Sequence, residues 1–247
     1  MDIRSAPIAI YDSGDGALTV LAALRKAFPH ERWILVRDRR HVPYGNKSPE
    51  QLHRFGRDCL DRVAAIGVKA AVVACHTSSA LALPYLQACY DFPLLGMLEP
   101  TAQGLAQYTA NTSIAWLATA ASVKADLLLP RARALGFQGD WRAVACRHWA
   151  EHIEMGMLEL ELRDMVKQTL HSHLEWLVVE KVCILYGCTH YPLLDAIVAE
   201  YLAEYSLASV SRIDPALWVV QALDRLLRAE GLQAPVDIMR NCSVTLA

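Results

Sequence analysis

Several features that assign a chain to a familiar class are missing from this sequence. Its seven cysteines are scattered and contain no CxxC pair, which argues against a disulfide framework or a zinc site. The formal net charge is -2, so no excess of positive charge favours nucleic acid or an anionic membrane. No apolar run reaches the length of a membrane span, and the first residues show no signal-peptide pattern. We therefore expect a reduced cytoplasmic protein with neither nucleic acid nor membrane as a partner.

Motifs for common cofactors are also missing. Gly14-Asp15-Gly16 lacks the spacing of a dinucleotide or P-loop motif. His148 and His152 have the i, i+4 spacing of helical metal ligands, but the sequence offers no evident third ligand. No lysine stands out as a partner for pyridoxal phosphate. We therefore expect a site that works with no cofactor and no metal.

Short apolar runs followed by small polar residues and then helix-like stretches recur four times along the chain. They begin at Ile8, Ala70, Ser113 and Val182. Such runs are typical of parallel strands, which are buried on both faces. Hydrophobic residues make up 54% of the 247 residues, enough for one large or two small cores. The sequence predicts an α/β fold with parallel-type central sheets.

The four segments form two pairs, which is a weak internal repeat. Cys75-His76-Thr77 and Cys188-Thr189-His190 occupy matching places, just past the last predicted strand of each half. We expect two similar α/β units whose strands end at a common cleft, where ligands of open α/β sheets bind. No glycine-serine linker separates them. We therefore expect the chain to cross over and return, with residues 1-96 plus 208-247 forming the first unit and 97-207 the second.

Two of the cysteines are candidates for chemistry. Cys75 and Cys188 each follow a buried run and precede a predicted helix start, where backbone amides stabilise a thiolate and lower its pKa. Buried packing is expected for the other five, which are Cys59, Cys89, Cys146, Cys183 and Cys242.

A pair of facing thiols suits inversion at a carbon centre. One thiol removes a proton from one face and the other returns a proton on the opposite face, so two groups of one kind serve both directions. A single cysteine nucleophile needs only one thiol with a histidine partner. Asp12 follows the first strand, where it either assists Cys75 or caps a helix. His190 lies two residues after Cys188 and can support its thiolate.

Five blocks of the sequence resemble the glutamate racemase family, which belongs to the cofactor-independent aspartate/glutamate racemases. They are Asp12-Ser13-Gly14 with Leu18-Thr19-Val20, Val42-Pro43-Tyr44-Gly45-Asn46-Lys47-Ser48, Ala74-Cys75-His76-Thr77-Ser78, Leu117-Ala118-Thr119, and Gly187-Cys188-Thr189-His190-Tyr191-Pro192. Their order and spacing match from about residue 8 to about residue 216. The proline-tyrosine-glycine block and the last block are quite specific, and together they are strong.

The resemblance implies two units related by a pseudo-twofold axis, with one site between them. Cys75 and Cys188 would be the proton-transfer thiols, assisted by Asp12 and His190, with Glu154 also linked to the site. The residues expected to hold the substrate are Ser13, Tyr44, Gly45, His76, Thr77, Thr119 and Thr189. Their hydroxyls and backbone amides would bind the carboxylates and amino group of a small acidic amino acid. Such families commonly form homodimers.

His76 departs from the family pattern, which usually has asparagine after the first cysteine. Because histidine is bulkier, we expect it to fill part of the pocket and to favour aspartate slightly over glutamate. If instead His76 points away from the pocket, glutamate would remain the substrate, and D-glutamate for peptidoglycan would be the product.

Two other classes of function compete with racemisation. A cysteine-dependent decarboxylase or cis-trans isomerase could share such a fold, although a decarboxylase needs only one thiol. A binding or regulatory homologue without activity is compatible with His76 and with Ala17, where the family has a second glycine.

Overall fold

Two parallel β-sheets organise the computed structural model, which describes residues 2-178, 181-235 and 243-246. The first sheet has the order β4-β3-β1-β2-β9 and contains β1 (Ile8–Asp12), β2 (Trp33–Arg37), β3 (Ala70–Val73), β4 (Leu94–Gly96) and β9 (Ser243–Leu246). The second has the order β6-β5-β7-β8 and contains β5 (Ser113–Ala118), β6 (Trp141–Ala145), β7 (Val182–Gly187) and β8 (Ser211–Ile213). The predicted α/β fold is confirmed.

Helices connect the strands and cover the sheets. They are α1 (Ala17–Ala27), α2 (Pro49–Ile66), α3 (His76–Leu81), α4 (Leu83–Gln87), α5 (Leu98–Leu105), α6 (Ala120–Ala125), α7 (Leu128–Ala134), α8 (Trp149–Glu154), α9 (Glu159–His171), α10 (Leu174–Leu177), α11 (Asp195–Glu204) and α12 (Ala216–Ala229). Short 3₁₀ helices occupy Ile3–Ser5, Tyr44–Asn46 and Tyr191–Leu194. Within the described ranges, no helix is long and apolar enough to cross a membrane.

Local sequence sets the limits of these elements. All five residues of β1 are buried, as expected for a central parallel strand. The helix α2 begins with a capping box, because Ser48 and Gln51 exchange side-chain and backbone hydrogen bonds. It ends at Gly67, whose φ of 85° suits glycine.

The two sheets share one connectivity. Counted within each unit, the four strands of both sheets follow the spatial order 4-3-1-2, with β9 added at the edge of the first. Cys75 follows β3 and Cys188 follows β7, the third strand of each unit. This repeat is the one that the sequence predicted from the two cysteine segments.

The chain passes from the first unit to the second and back. The strand β8 pairs in parallel with β7, whereas the predicted boundary at 207/208 would put Ser211–Ile213 in the first unit. The sequence does not predict β8 because this strand has only three residues, and none of them is fully buried. The helix α12 then packs with the first sheet, where Val219 and Leu223 share a core with Ile8 and Ile10.

The cysteines outside the cleft are less uniformly buried than expected. Cys59 and Cys146 are buried, but Cys89 and Cys183 are only half-buried. Cys242 lies outside the described residues.

Candidate active site

Cys75 and Cys188 line one small cavity between the two units. All of the predicted site residues line this cavity except Asp12 and Glu154. These two are hydrogen-bonded to the lining residues Thr189 and His190, respectively. Its volume is about 10 Å³, room for one water molecule and not for an amino acid. The structure therefore shows the site closed.

Cys188 belongs to a hydrogen-bonded triad. Its Sγ lies 3.5 Å from Nδ1 of His190, and Nε2 of His190 lies 2.5 Å from Oε1 of Glu154. Glu154, at the end of α8, also accepts a hydrogen bond from the backbone N–H of Asp15. A Cβ at Gly14 would overlap the Glu154 carboxylate, so this close approach requires glycine.

The triad favours a charged histidine. Burial by itself lowers the pKa of His190, but the Cys188 sulfur and the Glu154 carboxylate raise it well above its ordinary value. Burial raises the pKa of Glu154, yet the hydrogen bonds from His190 and Asp15 bring it below its ordinary value. His190 and Glu154 therefore form an ion pair beside the sulfur of Cys188.

Cys75 has a different environment. Burial raises the pKa of its thiol to about 12, and the Asp12 carboxylate adds to the rise. The expectation that a helix N-terminus lowers this pKa is wrong for Cys75, because α3 has only six residues and burial outweighs its amides. At rest, Cys75 is therefore a protonated thiol facing Cys188.

Asp12 connects the two units by hydrogen bonds. It is fully buried and accepts hydrogen bonds from the backbone N–H of Ser13 at 2.6 Å, from the Ser13 hydroxyl at 3.2 Å and from Thr189 Oγ1 at 2.9 Å. Burial raises its pKa, although the charge of His190 and these hydrogen bonds oppose the rise. Asp12 thus holds two predicted substrate-binding hydroxyls in place.

Hydroxyl groups close the other side of the cavity. Thr77 and Thr119 lie within 3.2 Å of each other through their Oγ1 atoms, and Thr119 caps α6 through Ser122. Gly45 packs against Thr119, where a Cβ would come within 3.1 Å of the threonine Cβ. The Tyr44 hydroxyl is already bonded elsewhere, to Tyr11 and Asp38. Its direct contribution to the cavity is therefore the ring and backbone, and not the predicted hydroxyl bond.

His76 lies in the wall between the active-site cavity and a second small cavity. Burial lowers its pKa to about 4, so the ring is neutral near pH 7. The ring therefore borders the space in which a substrate would lie.

Sequence reasoning missed part of the lining. Val42, Pro43 and Ala150 also face the cavity. The first two lie in the proline-tyrosine-glycine block, which singled them out by resemblance only. Ala150 carries no chemical signal and comes close only because α8 also positions Glu154.

A wider cavity of about 290 Å³ opens beside the closed site. It shares Pro43, Gly45, Thr119 and Ala150 with the active-site wall. Within residues 2-178, 181-235 and 243-246, no three or more His, Cys, Asp or Glu side chains are arranged to hold a metal. The rings of His148 and His152 stack with centroids 5.8 Å apart, and His148 is bonded to Glu151.

This geometry is accompanied by a match to a known family. The model of the Asp/Glu/hydantoin racemase family matches residues 18–223. The chain belongs to the Asp/Glu/hydantoin racemase family. It is therefore an isomerase, a racemase of the class that works without pyridoxal phosphate. The predicted family resemblance is confirmed.

Similar racemases cover almost the whole chain. A glutamate racemase of Pseudomonas entomophila is 35% identical over 241 residues, or 95% of this chain and 86% of that protein. The crystal structure of glutamate racemase from Thermus thermophilus in complex with β-chloro-D-alanine is 31% identical, with a TM-score of 0.76, and covers 98% of this chain and 87% of that one. A glutamate racemase of Bacillus anthracis superposes with a TM-score of 0.84 at 26% identity, covering 98% and 88% of the two chains. The predicted two-unit architecture agrees with these racemases.

Proposed function

We propose that this racemase interconverts L- and D-glutamate by proton transfer at the α-carbon between Cys75 and Cys188. The observation that carries the proposal is that two thiols, supplied by the matching third strands of two units, line one cavity. An α-carbon between them exposes one face to each sulfur. The named relatives, all glutamate racemases, support glutamate as the substrate.

The two thiols have different surroundings. Cys188 lies beside the His190–Glu154 ion pair, which can donate a charge-assisted hydrogen bond to a thiolate. Cys75 keeps its proton because burial and Asp12 raise its pKa to about 12. We assign Cys188 as the base and Cys75 as the acid for one enantiomer, and the roles exchange for the other enantiomer. Backbone amides and hydroxyls around Ser13, Thr77 and Thr189 bind the α-carboxylate as negative charge grows there.

The substrate enters through the wider cavity. The closed site does not hold an amino acid, and four wall residues are common to both cavities. The units therefore separate at this wall to admit glutamate and close again to exclude water, which strengthens the electrostatic interactions of the site.

The decisive measurement is loss of optical activity from L-glutamate incubated with the purified protein, with the D-enantiomer identified by chiral chromatography. Conversion towards an equal mixture supports the proposal. A protein that binds glutamate but leaves its chirality unchanged is a binding homologue. Release of carbon dioxide from malonate-type acids identifies a decarboxylase.

Aspartate is the second candidate substrate, and His76 is the observation that favours it. The ring lies in the cavity wall, where it takes space that a longer side chain needs. The comparisons do not support the slight preference for aspartate that the sequence predicted, because the relatives cited above are glutamate racemases. The ratio of kcat/KM for the two amino acids decides between them.

Replacing His76 with asparagine is expected to raise the ratio of kcat/KM for glutamate to that for aspartate. One methylene in a pocket is worth about 10- to 200-fold in discrimination, so a shift of about tenfold is expected. The measurement is steady-state kinetics on both amino acids. The control is His173→Asn, whose imidazole lines a different cavity. An unchanged ratio in His76→Asn means that this ring does not set substrate length.

A further inference from the structure

A buried chain of hydrogen bonds leads from the first unit's core to its surface. Tyr11 Oη donates to Tyr44 Oη at 3.0 Å, and Tyr44 Oη donates to Oδ2 of Asp38 at 2.6 Å. Asp38 then meets Nδ1 of His41 at 2.8 Å. The side chain of His41 is 32% exposed, so the outer end of the chain reaches solvent.

The inner end of this chain lies next to Cys75. Tyr11 pairs in register with Val73, the last residue of β3, and Cys75 follows two residues later. Tyr11 and Cys75 share one buried cluster. Ser78, one helical turn after Cys75 in α3, has a fully buried hydroxyl that interacts with both the Cys75 thiol and the Tyr11 phenol and opposes the rise of their pKa values. Because a hydroxyl can donate and accept at the same time, Ser78 can link the thiol to the phenol.

The proposed reaction creates a need that such a chain can meet. After one conversion, the thiol that was the base carries a proton and the thiol that was the acid has lost its own. Repeated conversion in one direction requires both thiols to be reset by exchange with solvent. The closed cavity has room for about one water molecule, so free exchange through it is restricted.

We infer that Ser78, Tyr11, Tyr44 and Asp38 form a proton relay that exchanges the Cys75 proton with solvent at His41. The inference rests on the proposed two-thiol function. After Cys75 has acted as the base, the relay runs outward: the Cys75 thiol gives its proton to Ser78 Oγ as the serine passes its own to Tyr11, and after Cys75 has acted as the acid the same steps run inward. In the outward direction, Tyr11 and then Tyr44 each receive one proton and pass on their own. Asp38 accepts the proton that leaves Tyr44 and releases it to solvent through His41. Cys75 is left as a thiolate, no electrons are exchanged, and Cys188 gains a solvent proton through Glu154 and His190.

The electrostatics of the two phenols suit this role. Burial raises the pKa of both Tyr11 and Tyr44 far above the ordinary value. Both therefore stay neutral, and a neutral hydroxyl can donate and accept at the same time. The observed bonds already donate towards Asp38, which is the direction needed to remove a proton from Cys75.

Removing one hydroxyl from the relay tests the inference. In Tyr11→Phe the ring stays and the link is cut, so resetting of Cys75 slows. We expect kcat for net conversion of one enantiomer to fall about tenfold or more, since positioned proton transfer is worth about 10²-fold or more. The value of kcat/KM reports only on the steps from substrate binding to product release, so it changes much less. In a tracer-perturbation experiment, excess unlabelled substrate disturbs a labelled racemate. In the variant, this disturbance should appear at a lower concentration of unlabelled substrate than in the wild-type protein.

A matched control and a second variant keep the test decisive. Tyr186 is another buried phenol that donates to a carboxylate, Asp195, but among the described residues no hydrogen bond joins it to a thiol. Tyr186→Phe should therefore keep the wild-type tracer pattern. Asp38→Asn, which retains both phenols but weakens the terminal acceptor, should resemble Tyr11→Phe and replaces it if that variant does not fold.

The outcomes separate the relay from the racemase activity. Wild-type protein that converts neither glutamate nor aspartate overturns both. Active wild-type protein with an unchanged kcat and tracer pattern in Tyr11→Phe and Asp38→Asn overturns the relay alone. An equal effect in Tyr186→Phe also overturns it, because loss of packing would then explain the result.

Discussion

Replacing either Cys75 or Cys188 with serine is expected to abolish racemisation. A hydroxyl ionises far less readily than a thiol, so the variant loses one of the two proton transfers. Each such transfer is worth about 10²- to 10⁴-fold, and we expect kcat for glutamate to fall by at least that range. Circular dichroism of an L-glutamate solution measures the loss. The control is Cys183→Ser, which alters a half-buried cysteine of β7 outside the cavity.

The two variants should differ in a half-reaction. When Cys75 is replaced, Cys188 still removes and returns the α-proton of the enantiomer that faces it, and the reverse holds when Cys188 is replaced. In heavy water each variant should therefore incorporate deuterium into one enantiomer only, and the two variants should choose opposite enantiomers. Cys75 has a raised pKa and Cys188 has the His190–Glu154 pair, so we expect faster exchange in the variant that retains Cys188.

Two results contradict the two-base assignment. One is near-normal racemisation in either variant, because a single thiol would then serve both faces. The other is exchange of the same enantiomer in both variants, since the sulfurs would not then lie on opposite faces of the α-carbon. Normal far-ultraviolet circular dichroism of each variant shows that a loss of activity is not a loss of fold.

The sequence predicted those parts of the site that follow from strand ends. Parallel strands end at one edge of a sheet, so two cysteines just past corresponding strands meet whenever the two edges face each other. This reasoning applies to Cys75, Cys188 and the residues beside them. The weak repeat of strand and junction segments also predicted two similar α/β units, but not the order of the strands in each sheet.

Other parts could not be read from the sequence, for physical reasons. The strand β8 has only three residues, so its pairing with β7 depends on tertiary contacts rather than on any apolar period. Helix position alone predicted a lowered pKa for Cys75, but burial is a tertiary property and has the larger effect. Tyr11 looked like a core residue of β1, and only the positions of Tyr44 and Asp38 show that its hydroxyl is part of a network.

Replacing Glu154 with glutamine is expected to move the alkaline limb of the kcat/KM profile to lower pH. The Glu154 carboxylate helps to keep the pKa of His190 well above its ordinary value, and glutamine keeps the shape but removes the charge. The folded-state pKa of His190 therefore falls, and the imidazolium is lost at a lower pH as pH rises. Cys75, with a pKa raised to about 12, does not limit this region.

The size and symmetry of this effect are also constrained. Loss of acid-base assistance at Cys188 should lower kcat/KM about 10²-fold above neutrality, with a smaller loss in acid, where His190 remains charged. Because mirror-image amino acids have an equilibrium constant of one, kcat/KM must fall equally for both enantiomers, although Glu154 touches only the Cys188 side. Glu151→Gln removes a carboxylate one turn earlier in α8, bonded to His148 and not to His190, and should leave the limb in place. If Glu154→Gln keeps the wild-type limb, Glu154 does not control His190 protonation, and the role of the triad in activating Cys188 must be abandoned.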